Sequence, residues 1–132
     1  MSEIKDEIRN GRIINKEVVT AAAEELAKKR NAKLTKEMMR IAVDSEFERK
    51  NALLNLQRNR DEEDPIKACL KAKEANEIAV KEGKMTPEEF REANRKADDE
   101  KDKALRSIYD EYYTLRNQLQ KQCYDVLNDW DD

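Results

Sequence analysis

The amino-acid sequence predicts an all-α protein: a helical bundle of two antiparallel helical hairpins with an extended, coiled-coil-like C-terminal helix. Three observations predict this class. The chain has only two glycines and two prolines in 132 residues, too few for the many reversals of a β-sandwich or barrel. Charged residues make up 43%, yet they nearly cancel to a net charge of −3, which favours long solvated helices over disorder. Apolar residues recur at helical spacing along most of the chain.

A short helix is predicted near the start of the chain. Ile4 and Ile8 lie on one face of a helix over 3–9. The Asn10-Gly11 pair that follows is typical of a turn. We expect residues 1–14 to form an N-terminal arm that contains this short helix and precedes the hairpins of a single domain.

The first hairpin is predicted over 15–60. Asn15 can cap a helix over 16–30, because an asparagine side chain accepts hydrogen bonds from the unpaired N–H groups of a first helical turn. Thr35 gives the same signal for a second helix over 36–60. Two helices joined by so short a connection are expected to pack antiparallel.

The second hairpin is predicted over 61–132, with a break in the helix at 61–64. Asp64 followed by Pro65 matches an N-cap and a first-turn proline, and it predicts a helix over 65–82. A glycine at position 83 then occupies the place of a left-handed C-cap.

The last helix has the clearest start signal. Thr86, Pro87 and Glu89 form a capping box with a proline at the first helical position, which predicts a helix over 87–130. The turn that leads into it resembles the earlier turn between the first two long helices. Either convergence on one good turn or duplication of a hairpin explains this repeat.

The last helix carries an apolar stripe that repeats every 11 residues, close to the natural period of the α-helix. Up to Ala104 the stripe is made mostly of small residues, and the helix over 65–82 offers a matching stripe of Ala68, Ala72, Ala75 and Ala79. Beyond Ala104 the stripe is bulky, and a hairpin mate of about 18 residues is too short to cover it. Either the first hairpin folds along this segment or another protein covers it, and we favour a partner. The predicted partner-binding residues are Ile108, Tyr109, Tyr112, Tyr113, Leu115, Leu119, Cys123, Val126 and Trp130.

Several classes of chemistry are excluded by composition. Histidine is absent, so the most common general base and metal ligand are missing. Cys69 and Cys123 are far apart and match no zinc or redox spacing, and the two glycines form no phosphate-binding loop. The sequence therefore predicts a protein that is not an enzyme and has no catalytic residue, no cofactor, no metal site and no small-molecule substrate.

The two ends of the predicted bundle differ in charge. One hairpin end carries six basic residues against one acidic residue, and these possible basic contacts are Lys28, Lys29, Arg30, Lys33, Lys36 and Arg40. The other extremity has acidic residues on both sides of a tryptophan: Asp125, Asp129, Asp131 and Asp132. Acidic residues at a helix C-terminus oppose the helix dipole, so they suggest either a docking motif or a frayed soluble end.

The predicted function is a non-catalytic structural or assembly subunit that associates through its long C-terminal helix within a multi-subunit complex, with a phage virion or scaffold component as one example. The alternative is a small regulatory adaptor that binds a target protein or nucleic acid through the basic end at 28–40. Protein partners or self-association are favoured over nucleic acid. No apolar run is long enough for a membrane span, and early charged residues interrupt a signal pattern. We therefore expect the protein in the cytoplasm, or in a particle assembled there.

Overall fold

The computed structural model describes residues 3–11 and 13–130 and confirms the all-α class. The described residues form four helices and no strand; the helices are α1 Glu3–Arg9, α2 Lys16–Lys29, α3 Lys36–Lys81 and α4 Pro87–Asn128. The predictions for the short first helix, for the helix over 16–30 and for the extended last helix are confirmed to within two residues at each end.

The predicted break at 61–64 is wrong, because α3 continues through Pro65 as one helix of 46 residues. A proline inside a helix costs about 3 kcal/mol, since it donates no hydrogen bond and its ring crowds the preceding turn. An exposed ion pair spans the proline, with Lys67 Nζ 3.9 Å from Glu63 Oε2, but such a pair contributes only about 0.2 to 0.5 kcal/mol. One turn beyond the proline, Cys69 is buried and its thiol donates to Asp98 of α4, so packing against α4 also supports the helix there.

Two hairpin turns connect α2, α3 and α4, and they share one construction. Asn31 follows the end of α2 with a φ of 51°, and Gly83 follows the end of α3 with a φ of 73°. In each turn the next N–H donates to the carbonyl five positions back, at 2.9 Å in the first turn and 2.8 Å in the second. This is the Schellman motif, so the C-cap predicted at Gly83 is confirmed and Asn31 has the same role in the other turn.

Three of the four predicted N-caps are confirmed. Asn15 Oδ1 accepts hydrogen bonds from two amides of the first turn of α2, at 2.9 and 3.2 Å. Thr35 Oγ1 accepts one from the first turn of α3 at 3.3 Å. Thr86 and Glu89 form the reciprocal capping box, at 3.1 and 3.0 Å. The fourth predicted cap, Asp64, lies inside α3 and caps nothing.

The chain divides into two compact units by the contacts among its residues. We call the first the core unit, Met1–Gln57 with Tyr112–Asp132. Its described part contains α1, α2, the first part of α3 and the last part of α4. Large apolar side chains fill its centre, and those that are fully buried are Ile8, Val19, Met39, Val43, Leu54, Leu115 and Leu119.

We call the second the hairpin unit, Arg58–Glu111. It consists of two antiparallel helical segments joined by the turn at Gly83. Only Cys69 and Ala97 of its residues are buried. Its seam is partly polar, since Asn76 Nδ2 donates to Asn94 Oδ1 at 3.0 Å.

The predicted alanine stripe on the second half of α3 is only half right. Ala72 and Ala79 are partly buried, whereas Ala68 and Ala75 are exposed. The side of α3 that faces α4 within the hairpin unit follows a spacing of four and three residues through Pro65, Cys69, Ala72 and Asn76. A heptad-like seam therefore replaces the all-alanine contact.

Candidate interaction surfaces

The centre of the predicted partner-binding stripe is buried inside the core unit. Tyr112, Leu115, Leu119 and Cys123 are 4, 2, 0 and 6% exposed in the single chain. The expectation that another protein covers these four residues is corrected: helices of the same chain cover them. The length argument failed because α3 has 46 residues, so the mate of α4 is not a helix of about 18 residues.

The short helix α1 contributes to this cover. Gln122 Nε2 donates a hydrogen bond to the carbonyl oxygen of Ile8 at 2.7 Å. The ammonium group of Lys5 lies 4.9 Å from the centroid of the Tyr112 ring, within the range of a cation–π contact. The N-terminal arm therefore packs on α4 and completes the core unit.

Cys123 is an unreactive thiol in this setting. Burial raises its pKa to about 11, and the nearby carboxylates of Asp44 and Glu46 act in the same direction. A thiolate is the nucleophilic form of cysteine, so this environment suppresses its chemistry. Cys123 acts as a small apolar residue of the core.

The other five predicted contact residues keep some access to solvent. In the hairpin unit, Ile108 is partly buried, and Tyr109 is exposed with the guanidinium of Arg58 at 5.4 Å from its ring centroid. In the core unit, Val126 and Trp130 are partly buried and Tyr113 is exposed.

An exposed aromatic face lies on α4 of the core unit beside the buried stripe. Tyr113 is 56% exposed and Tyr124, which was not among the predicted contact residues, is 57% exposed. Eleven residues separate them, so they lie on one helix face about 16 Å apart. We call this pair the tyrosine face. The 11-residue repeat contained the signal for Tyr124, one position after the stripe residue Cys123.

The predicted basic end lies at the turn between α2 and α3. Five of its six basic residues are exposed and Lys36 is partly buried. Arg40 Nη1 lies 3.4 Å from Glu37 Oε2, so this arginine already has an acidic neighbour on its own helix. The structure therefore brings the six residues to one solvent-exposed hairpin turn.

Asp125 and Asp129 are exposed, and the predicted acidic residues 131 and 132 lie outside the described residues. The prediction that these acidic residues lie at the extremity opposite the basic turn is wrong. The end of α4 lies beside the start of α3, since Cys123 is close to Asp44 and Glu46 in the same unit.

A polar cluster in the hairpin unit was missed at the level of sequence. Lys73 Nζ lies 2.6 Å from Asp98 Oδ1, and the thiol of Cys69 donates to the same oxygen at 3.6 Å. The hydrogen bond from Lys73 lowers the pKa of Asp98, and the same bond raises the pKa of Lys73. Since this pair joins α3 to α4, its evident role is to hold the hairpin together.

A second exposed apolar face was also missed. Ile66, Leu70 and Ile78 of α3 in the hairpin unit are 41, 57 and 55% exposed. Their spacing of four and eight residues places them on the side of α3 away from α4. We call them the outer face of α3. Charged residues between them obscured the pattern in the sequence.

Features typical of catalytic or ligand-binding proteins are weak in the described part of the chain. Residues 3–11 and 13–130 contain no group of three or more acidic or cysteine side chains placed to hold a metal ion. A depression of about 80 Å³ beside Cys69 and Ala97 and another of about 210 Å³ beside Ala21 and Lys28 are both smaller than the pockets of about 300 to 1,000 Å³ that hold small ligands. None of the described helices is both long enough and apolar enough to cross a lipid bilayer.

Comparison of this chain with protein-family models, with curated proteins and with solved structures finds no match. The proposals below therefore depend on the geometry and chemistry of the chain itself.

Proposed function

We propose that this protein is a non-catalytic structural or assembly subunit that binds a protein partner through α4 within a multi-subunit complex. The observation that carries the proposal is the tyrosine face, where Tyr113 and Tyr124 are both more than half exposed. This proposal keeps α4 as the binding helix and moves the contact from the buried stripe to the face beside it. A phage virion or scaffold component is one complex of this kind.

Tyrosine suits such a contact for physical reasons. A tyrosine side chain buries about 150 to 250 Å², loses little rotamer entropy, and keeps a hydroxyl group that can donate or accept a hydrogen bond. The residues between the two tyrosines on this face, Asn117 and Gln120, are exposed and polar. Aromatic anchors with polar neighbours are the usual composition of a protein–protein contact.

The test compares two variants of α4 with the same change in net charge. Tyr113→Asp/Tyr124→Asp removes the tyrosine face, whereas Ser107→Asp/Gln118→Asp changes two exposed residues that are also 11 positions apart and lie about 120° away around the helix. We measure the native mass of each variant in an extract of the source cells. The wild type and the control should migrate in a complex larger than the chain itself, and the tyrosine variant should lose that association by at least about tenfold.

The proposal is wrong if the wild-type chain migrates as a monomer in such extracts. It is also wrong if the tyrosine variant, still helical by circular dichroism, assembles as well as the control.

A second candidate function is a regulatory adaptor that acts through the basic end. The exposure of Lys28, Lys29 and Arg30 at one hairpin turn favours this candidate. Lys28→Glu/Lys29→Glu/Arg30→Glu should then abolish binding to an acidic target such as duplex DNA at low salt, measured by fluorescence anisotropy. Unchanged affinity in that variant would exclude the basic end as the contact.

A further inference from the structure

The outer face of α3 in the hairpin unit combines apolar and charged residues on one side of the helix. Ile66, Leu70 and Ile78 supply its apolar part. At 100° per residue, they fall within an arc of about 120° that points away from the seam with α4. The hairpin unit is only two helices thick, so no further helix of this unit is available to cover them.

Three acidic and two basic residues lie within the same arc, and four of them form two ion pairs. Glu63 and Lys67 form one exposed ion pair at 3.9 Å, and Glu77 and Lys81 form another at 3.4 Å. Both pairs have the order Glu then Lys along the chain, four residues apart. Glu74 is the third acidic residue, so the charges along the face follow the order acidic, basic, acidic, acidic, basic, with the apolar residues among them.

We infer that the outer face of α3 is a self-association surface that binds the same face of a second copy of this chain in antiparallel orientation. A two-fold axis level with Ala72 places Ile66 of one copy at the height of Ile78 of the other. It also places Leu70 at the height of Glu74, whose aliphatic stem can cover the leucine. Such a contact is isologous, as in most symmetric dimers.

The charges complement one another in this register. Glu63 of one copy lies at the height of Lys81 of the other, and Lys67 lies at the height of Glu77. The two-fold axis repeats each pair, so four interchain contacts between opposite charges result. The intrachain pairs are more than half exposed, and their side chains can reach across the contact.

The same charges disfavour neighbouring registers. Sliding one helix by four residues in one direction brings Lys67 to the height of Lys81, and sliding it four residues the other way brings Glu63 to the height of Glu77. Like charges at close range are unfavourable, so the pattern specifies one register as well as one orientation.

The length of the face sets the strength of the contact. From Glu63 to Lys81 the helix rises about 27 Å, which is short for a standard interface. We therefore expect a weak dimer, with a dissociation constant of about 10 to 100 µM. This surface lies in the hairpin unit, and its existence does not depend on the tyrosine face or on the proposed function.

The test uses two complementary charge variants of the full chain. Glu63→Lys/Glu77→Lys makes all four residues of the two ion pairs basic, and Lys67→Glu/Lys81→Glu makes all four acidic. Sedimentation velocity from about 10 to 500 µM measures the association. The wild type should dimerise, and each variant alone should dimerise with an affinity at least about tenfold lower. An equimolar mixture of the two variants should dimerise at least as well as the wild type. Recovery in the mixture requires that both variants are folded.

Two further variants complete the experiment. Leu70→Glu should abolish the dimer, because it removes an apolar side chain and places like charges opposite each other at Glu74, whereas Asp99→Lys/Asp102→Lys, on exposed positions of α4 in the same unit, should leave it unchanged. The inference is overturned if the helical wild type stays monomeric up to the highest concentration. It is overturned equally if the mixed charge variants fail to associate while each variant remains helical.

The outcomes also separate this surface from the tyrosine face. Tyr113→Asp/Tyr124→Asp should leave the purified dimer unchanged. If that variant abolishes the dimer and Leu70→Glu does not, the outer face of α3 is not the contact, and the proposed function is untouched.

Discussion

The core unit and the hairpin unit use the same two long helices in different ways. In the core unit, α3 and α4 pack with α1 and α2 around fully buried residues such as Leu54, Leu115 and Leu119. In the hairpin unit, the two helices have only each other, and their contact includes Asn76, Asn94 and the Lys73–Asp98 ion pair. Hydrophobic burial therefore dominates in one unit, while helix propensity, capping and polar contacts dominate in the other.

This difference teaches that helix continuity and stability are separate properties. Both units are helical throughout their long segments. Most of the stability of a protein helix comes from burial of an apolar face, and the hairpin unit buries little.

We expect backbone amides of 66–80 to exchange with deuterium faster than those of 38–54, and equal protection in both segments would contradict the comparison.

The largest effect is expected from the centre of the core unit. Leu119→Ala should lower the free energy of unfolding by about 2 to 5 kcal/mol, because it leaves a cavity at a fully buried site. Denaturant unfolding followed by circular dichroism measures this loss. The neighbouring exposed change Gln120→Ala should have little effect, and a similar loss in both variants would show that Leu119 is not the core residue described here.

The next effect concerns the proline inside α3. Pro65→Ala should stabilise the hairpin unit by up to about 3 kcal/mol, because alanine restores an amide donor and removes the ring from the preceding turn. Hydrogen exchange of residues 66–80 reports the gain. If the helix instead began at Pro65, the same substitution would be neutral or destabilising, so the sign of the change tests the continuity of α3.

The two threonine caps provide a smaller and matched comparison. Thr86→Ala and Thr35→Ala should each cost about 1 kcal/mol, because each removes a hydrogen-bond acceptor from the start of a long helix. Loss of protection should be greatest in the hairpin unit for Thr86→Ala and in the core unit for Thr35→Ala. Identical exchange patterns for the two variants would show that the units do not respond separately.

The smallest effect is a pH dependence specific to the hairpin unit. The pKa of Asp98 is lowered by the hydrogen bond from Lys73, so its stabilising contribution is present above the unfolded pKa of about 3.9 and is lost as pH falls through the lower folded value. The pKa of Lys73 is raised by the same bond, so that contribution is lost only at high pH, above about 10.4.

Asp98→Asn should therefore lower the melting temperature slightly at pH 7 and should differ less from the wild type near pH 2.5. Thermal melts of both proteins across this range measure the difference. If the difference in melting temperature between the two proteins increased as the pH was lowered, it would contradict the direction given for the pKa of Asp98.

Local sequence signals predicted well where helices begin and end, but they predicted poorly what covers each helix face. The caps at Asn15 and Thr86 depend on side chains within three residues, so the sequence contains their signal in full. The Asp64-Pro65 pair carries the same local signal, but whether a proline starts a helix or lies within one depends on the turn before it. That turn is helical here.

The candidate surfaces show the same limit. The periodic stripe on α4 was correctly identified as apolar, yet periodicity cannot say whether the cover comes from the same chain, and Leu115 and Leu119 lie in the core unit. Tyr124 was left out of the predicted contact residues, although it lies beside the stripe in the same way as Tyr113, which was included. Ile66 and Leu70 were missed because only the alanines of the helix over 65–82 were expected to pack against another helix.

The repeating seam of the hairpin unit has a consequence for how such a chain can change over evolution. Because α3 and α4 meet there through a pattern that advances by about seven residues, adding or deleting seven residues in each helix at matched heights preserves every neighbouring layer. The buried residues of the other unit need not be redesigned when this happens. Relatives of this protein should therefore vary in length by multiples of roughly fourteen residues, with the gain or loss confined to the hairpin unit and the turn at Gly83 left intact.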